Sequence, residues 1–220
     1  MHKKLSKKQL LTVSLIILFG VFSCFKLWQH YFQAKIPSYD LRGITLPHPV
    51  PLQPFSLVDH HGKPFNLDNL YGRWSFIFLG YSNCPDVCPI SLNLLANTFA
   101  ELKEREELLA KTQTVVISVD PKRDKQESLK DYVSYFHPQF IGATGEPEDI
   151  LSLAKQLKAS YKISPTVDEE GNYLVEHTSA FFLIDPKGRF FALFQPQFHD
   201  AIKIKEAFIA IYNARADTSL

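Results

Sequence analysis

The 220 residues, 45% of them apolar, are enough for one compact domain with an appendage. The formal net charge of +1 includes four lysines within the first eight residues, and the rest of the chain has 20 basic against 23 acidic side chains, which argues against a nucleic-acid binder. Three cysteines are too few for a scaffold held together by disulfides, and one methionine excludes a metal site built from thioethers.

The amino-terminal segment has the pattern of a membrane helix. Residues 10–25 are sixteen consecutive uncharged, mostly apolar residues, and Lys26 and Trp28 follow them. With these two side chains at the interface, the segment approaches the roughly 20 residues that span a bilayer. The lysines before it should stay cytoplasmic. We therefore expect a single transmembrane helix within residues 1–28, in the inner (cytoplasmic) membrane, with the rest of the chain on the periplasmic side.

A cleaved signal peptide and a lipoprotein signal ending at Cys24 are the alternatives for this segment. An uncleaved anchor is favoured because no small-residue cleavage site lies near its end, and Phe22 is bulky where a lipobox has small residues. Residues 29–48 lack periodicity and predict a linker, and residues 49–220 predict the folded domain.

The folded domain alternates strand-like and helix-like patterns. Strands are predicted at 55–58, 64–67, 74–80, 114–120, 140–143, 177–184 and 189–194. Helices are predicted where apolar residues recur at helical spacing, from 92 to 109, from 129 to 136, from 146 onward and from 200 to 214. Residues 162–176 form a polar excursion between the two halves. A parallel half followed by an antiparallel hairpin and a closing helix indicates an α/β fold, a thioredoxin-like three-layer sandwich with extra amino-terminal strands.

The turn between the third strand and the first domain helix carries two thiols. Cys84 and Cys88 lie four positions apart, each followed by a proline, at the edge where open α/β sheets keep their chemistry. The start of a helix favours a thiolate, so we expect a lowered pKa for Cys88. The pair could bind a metal, exchange with a disulfide or form a structural disulfide, and the turn location makes the last reading the least favoured.

A copper ion is one metal that the two thiols could bind, because two thiolates suit Cu(I). His177 is the candidate imidazole that would also admit Cu(II), although without a family resemblance a strand-end histidine with no ligand role is the simpler interpretation.

Other polar residues have simpler explanations than a role in the site. The pair His60 and His61 predicts a solvated turn. Asp120 and Asp124 are expected to cap the helix that follows them.

Taken together, these motifs resemble the SCO/SenC family of copper proteins over about residues 50–212. The most specific match is the CPDVCP run at 84–89 with a later histidine, His177. The other matching stretches are GKPF at 62–65 with Leu67, FLGY at 78–81, VDPKRD at 119–124, FIGATG at 140–145 and FLIDPKG at 182–188.

The resemblance implies a membrane-tethered domain that binds one copper ion, as Cu(I) or Cu(II), through Cys84, Cys88 and His177. It also implies a role in assembling the dinuclear copper centre of cytochrome c oxidase, with the copper-site subunit as partner and other copper carriers or thiol reductants as further partners. The alternative is a membrane-anchored thiol-disulfide oxidoreductase in which Cys84 and Cys88 are the catalytic pair. A metallochaperone is favoured over an enzyme.

Overall fold

The computed structural model describes residues 7–33, 40–169, 171–195 and 200–216. The chain divides into two compact units, Met1–Tyr39 and Asp40–Leu220. The first unit contains helix α1, Lys7–Gln33, in which apolar side chains such as Ile16, Phe19 and Phe22 are exposed. The predicted transmembrane helix is not confirmed, because no helix in the described part of the chain is both long and apolar enough to cross a membrane.

The second unit is an eight-stranded sheet with helices and a separate hairpin. Its strands are β1 Thr45–Pro51, β2 Ser56–Asp59, β3 Pro64–Asn66, β4 Trp74–Gly80, β5 Thr112–Ser118, β6 Ile141–Thr144, β7 Tyr161–Val167, β8 Tyr173–His177, β9 Phe181–Ile184 and β10 Arg189–Phe194. Its helices are α2 Val87–Glu101, α3 Glu106–Ala110, α4 Gln126–Phe136, α5 Pro147–Gln156 and α6 Ala201–Ala216, with a short 3-10 helix at Leu67–Leu70.

The centre of the sheet fixes the edge at which the thiols lie. The strand order is β1-β10-β9-β4-β5-β6-β2-β3, with β4, β5 and β6 parallel to one another and β9 antiparallel to β4. Every residue of β4 and β5 is buried, so both faces of the sheet are covered, as their continuous apolar runs predict. Gly80 pairs with Ser118 at the carboxyl ends of these strands, so the turns that follow them are neighbours.

Three parts of the sequence-based prediction are wrong. The polar excursion at 162–176 is an antiparallel hairpin, β7–β8, and forms a two-stranded sheet of its own. The strand predicted at 177–184 is divided, because His177 ends β8 and β9 begins only at Phe181. The helix predicted to reach position 109 ends at Glu101, and the short helix α3 follows it.

The predicted linker differs from the structure at both of its ends. Helix α1 continues to Gln33, and β1 already begins at Thr45. The prolines in the β1 sequence TLPHPVP concealed it, because proline has no N–H to donate to a ladder. They are tolerated because β1 is an edge strand, whose one partner in the described part of the chain is β10.

Candidate metal centre

The backbone around Gly80 brings the two thiols together. Strand β4 ends at Gly80, α2 begins at Val87, and Cys88 is the second residue of that helix. A Cβ at position 80 would lie 3.2 Å from the Cys88 sulfur, so glycine allows the thiol to pack against the strand end. Cys88 is fully buried, whereas Cys84 is partly exposed, and both are free thiols. The Cys88 backbone N–H donates a hydrogen bond to the Cys84 sulfur at 3.4 Å.

The hairpin brings His177 to these thiols although it lies 89 positions further along the chain. Its Nε2 is 3.2 Å from the Cys88 sulfur. The rings of Phe78 and Tyr81 pack edge-on against the imidazole, with centroids 5.7 and 6.1 Å away. On the other side of the ring, Nδ1 lies 3.4 Å from the Thr178 carbonyl oxygen. A proton on Nδ1 directed at that carbonyl leaves the Nε2 lone pair facing the thiols.

The electrostatics of the pair differ from the sequence-based expectation. Burial raises the pKa of the Cys88 thiol well above its ordinary value, although the residue lies in the first turn of α2. Removal from water is the largest influence on this thiol, and the prediction of a lowered pKa is wrong. Burial also lowers the pKa of His177, which keeps its imidazole neutral and able to donate a lone pair. Without a metal, the buried partners are thus a thiol and a neutral imidazole.

The three side chains form a group that could hold a metal ion. The two sulfurs and an imidazole nitrogen all lie within 4.8 Å of one another. Zinc lies about 2.3 Å from a thiolate sulfur and about 2.0 Å from an imidazole nitrogen, so two ligands of one such ion are at most about 4.6 Å apart, and the 4.8 Å bound on these three atoms is close to that span. Two sulfurs and one nitrogen form a soft donor set, which suits copper better than magnesium or calcium.

A groove gives access to this cluster from one side. Its volume is about 340 Å³, and it runs between residues 85–87 of the cysteine turn and residues 174–177 of β8. Cys84 and His177 line it, and the apolar side chains of Val87 and Leu174 are exposed beside it. An incoming molecule therefore meets Cys84 before it can meet the buried Cys88.

Asp120 and Asp124 do not cap the following helix, contrary to the expectation. The capping residue of α4 is Lys125, whose N–H donates to the Ser128 hydroxyl at 3.0 Å. Both aspartates are buried and contact the elements that carry the candidate ligands. Sequence alone could not reveal these contacts, because Ser82 and Tyr173 lie 42 and 53 positions away in the chain.

His60 and His61 form a hydrogen-bonded pair and not a second metal site. The Gly142 N–H donates to His60 Nδ1 at 2.8 Å, which requires the His60 proton to be on Nε2. That proton is directed at His61 Nε2, 2.9 Å away, so His60 has no free lone pair for a metal. The turn is as predicted, but His60 is buried within it, whereas His61 is exposed.

Comparison with known proteins identifies relatives for most of the chain. The family model described as SCO1/SenC matches residues 47–211. The mitochondrial protein SCO2 of Saccharomyces cerevisiae is 42% identical over 62% of this chain and 45% of its own length. An SCO2-like protein of Rickettsia prowazekii is 39% identical over 62% of this chain and 65% of its own length. The chain therefore spans about half to two thirds of the length of these curated relatives.

Solved structures agree with the fold. The copper-bound structure of Arabidopsis thaliana ScoI has a TM-score of 0.67 at 34% identity, covering 73% of this chain and 98% of the other. Copper-bound yeast Sco1 also has a TM-score of 0.67, at 33% identity, covering 73% of this chain and 87% of the other. These similarities confirm the predicted thioredoxin-like α/β fold.

Proposed function

Since the chain belongs to the SCO1/SenC family, we propose that it is a copper chaperone for cytochrome c oxidase. It holds one copper ion between Cys84, Cys88 and His177 and delivers it to the dinuclear copper centre of the oxidase. The observation that carries the proposal is the convergence of two sulfurs and an imidazole nitrogen within 4.8 Å. The copper in the related Arabidopsis and yeast structures supports the choice of metal.

The arrangement suits transfer of copper better than permanent storage. Loading displaces the thiol protons, because the thiolate is the form that binds a metal. Three protein ligands leave room for a fourth from an acceptor, so the ion can pass by ligand exchange without being released into water. Cys84 is the ligand that an acceptor replaces first, because it is partly exposed whereas Cys88 is buried.

Copper titration of the reduced full-length protein tests this proposal. We expect one Cu(I) per chain, measured by competition with a chromophoric chelator, and a thiolate-to-metal absorption band on addition of Cu(II). His177→Ala should lose stable Cu(II) binding while both thiols remain oxidisable, because the soft sulfurs alone favour Cu(I).

The matched control is His61→Ala, which removes an exposed imidazole that does not belong to the candidate ligand group. It should bind copper like the unmodified chain. Failure of the reduced, unmodified protein to bind one equivalent of copper would eliminate the chaperone proposal. Equal losses in both histidine variants would show that His177 has no special role.

A second candidate function is reduction of the acceptor's cysteines, and the hydrogen bond from the Cys88 N–H to the Cys84 sulfur favours it. That bond orients the sulfur of the partly exposed cysteine, whose thiolate can attack a partner disulfide. Cys88 then displaces the partner sulfur, leaving a disulfide here and two thiols on the partner. The metal-free protein should therefore reduce a disulfide in a peptide from the copper-site subunit, and no reduction at a useful rate would rule this function out.

Membrane anchoring is part of the same proposal and rests on the amino-terminal sequence pattern. The apolar side chains exposed on α1 are consistent with an environment other than water. The expected topology is a single pass through the inner membrane with the domain on the periplasmic side. Extraction of the membrane fraction with carbonate should leave the protein in the pellet, and release into the supernatant would exclude an uncleaved anchor.

A further inference from the structure

We infer that the turn formed by residues 120–124 positions both halves of the metal centre. Its Asp120 and Arg123 hold the hairpin that carries His177, and its Asp124 holds the turn that carries Cys84. The inference rests on the proposed copper site for its functional meaning, but the contacts themselves do not depend on a metal. Residues 120–124 supply no ligand, so they act as positioning residues.

The hairpin needs such contacts because, among the described residues, no backbone ladder joins it to the main sheet. Strand β8 pairs with β7, and the two form a separate sheet. Tyr173, Val175 and His177 alternate along β8 and therefore share one face. Each of them reaches the domain, through Asp120, the Tyr81 hydroxyl and the Cys88 sulfur respectively. The position of His177 thus depends on contacts along its own strand, two made by the side chains of Tyr173 and His177 and one by the Val175 backbone N–H.

Asp120 provides the contact at Tyr173. Its side chain is fully buried and accepts a hydrogen bond from the Tyr173 hydroxyl at 2.8 Å. Arg123 forms an ion pair with the other oxygen of the same carboxylate. The Arg123 guanidinium also lies over the Tyr173 ring, 3.7 Å from its centroid, and 5.5 Å from that of Tyr81. Tyr173 is therefore held by a charge-assisted hydrogen bond and by a cation over its face.

Asp124 holds the other half of the centre in the same way. Its buried carboxylate accepts a hydrogen bond from the Ser82 backbone N–H at 3.0 Å and another from the Ser82 hydroxyl. Ser82 lies two residues before Cys84. The Ser118 hydroxyl donates to Asp124 at 2.6 Å and accepts from the Asp120 N–H at 3.1 Å. Both halves of the metal centre are therefore connected, through the two aspartates, to Ser118 at the end of β5 in the middle of the sheet.

Tyr173→Phe is the variant that tests the hairpin contact, because it removes one hydroxyl and keeps the ring under Arg123. In the metal-free full-length protein, we expect the Val175 amide to exchange with solvent about tenfold faster, since a hydrogen bond to a charged group is lost. The same variant should bind Cu(II) at least about tenfold more weakly, with a reduced contribution of nitrogen to its electron paramagnetic resonance spectrum.

Tyr161→Phe is the matched control, because its hydroxyl lies on the same hairpin but contacts the Pro147 carbonyl at 3.4 Å. It should leave both measurements unchanged. Unchanged Val175 exchange and unchanged Cu(II) binding in Tyr173→Phe would overturn the inference. If the unmodified chain bound no copper, the proposed function would fail, and the exchange measurement would still decide whether the turn holds the hairpin.

Ser82→Ala tests the second half independently. It removes the hydroxyl bond to Asp124 and keeps the backbone N–H bond, so the fold should persist. We expect faster alkylation of Cys84, by about threefold to tenfold, because the cysteine turn loses one of its contacts. An unchanged alkylation rate would limit the positioning role to the hairpin half and contradict the inference as stated.

Discussion

Gly80→Ala should disturb the metal centre from within the core. The new Cβ would lie 2.9 Å from Phe78 Cε1 and 3.2 Å from the Cys88 sulfur. Carbon atoms prefer separations of about 3.5–4.0 Å, so both neighbours must move by several tenths of an ångström. Both side chains are fully buried, which leaves them little room. Overpacking of this kind typically costs about 1–3 kcal/mol of unfolding free energy.

The variant should also weaken copper binding, in addition to its effect on stability. Displacing the Cys88 sulfur changes its separation from His177 Nε2, now 3.2 Å. Changes to the groups that support metal ligands usually weaken binding by about 10–100-fold. Stability is measured by urea unfolding of the metal-free protein, and affinity by chelator competition with the folded protein.

Gly142→Ala provides the matched control. Its Cβ would lie 2.6 Å from Leu129 Cγ, so it also overpacks a buried contact, but one that does not involve the thiols. We expect a similar loss of stability with unchanged copper affinity. If Gly80→Ala retained full affinity while losing as much stability as Gly142→Ala, the buried sulfur would not be a ligand at the position described.

Three further outcomes follow from burial and charge. Limited alkylation of the metal-free protein at pH 8, measured by peptide mass spectrometry, should modify Cys84 more than about tenfold faster than Cys88. Equal rates would contradict the conclusion that Cys88 is buried and has a raised pKa. Burial is the main reason that the pKa of His60 is lowered from 6.5, so the unfolded state binds the proton more readily than the folded state. The free energy of unfolding should therefore fall as the pH drops below 6.5. In urea titrations at several pH values, His60→Asn, whose side-chain oxygen can still accept a hydrogen bond from a backbone N–H, should show a weaker dependence on pH. Asp185→Asn should cost about 3 kcal/mol in urea unfolding, because it leaves two arginine side chains without their buried carboxylate, and a loss under about 1 kcal/mol would refute this view.

The sequence predicts the local parts of the site well. The apolar runs of β4 and β5 and the turn with Cys84 and Cys88 are recognisable because their signals lie within a few residues of one another. The closing helix and the antiparallel strand β10 also follow from periodicity. The family resemblance singled out His177, which periodicity alone would have left as a strand-end residue.

The remaining features depend on contacts between distant residues. Hairpin β7–β8 has mostly exposed side chains, so its sequence resembles a loop. The pKa of Cys88 is set by the depth at which α2 packs, which a helix-start rule cannot supply. The capping expectation for Asp120 and Asp124 was locally reasonable, but Tyr173 and Ser82 supply donors that only the folded chain brings near.

The groove beside Cys84 bears on the order in which partner proteins can bind to the chain. Cys88 is buried in the first turn of α2, and the described groove reaches the cluster beside Cys84. If the chain carries copper as proposed, a donor and an acceptor that both approach through this groove would occupy the same surface. Their complexes with the chain would then be mutually exclusive, and the donor would have to leave before the acceptor arrives.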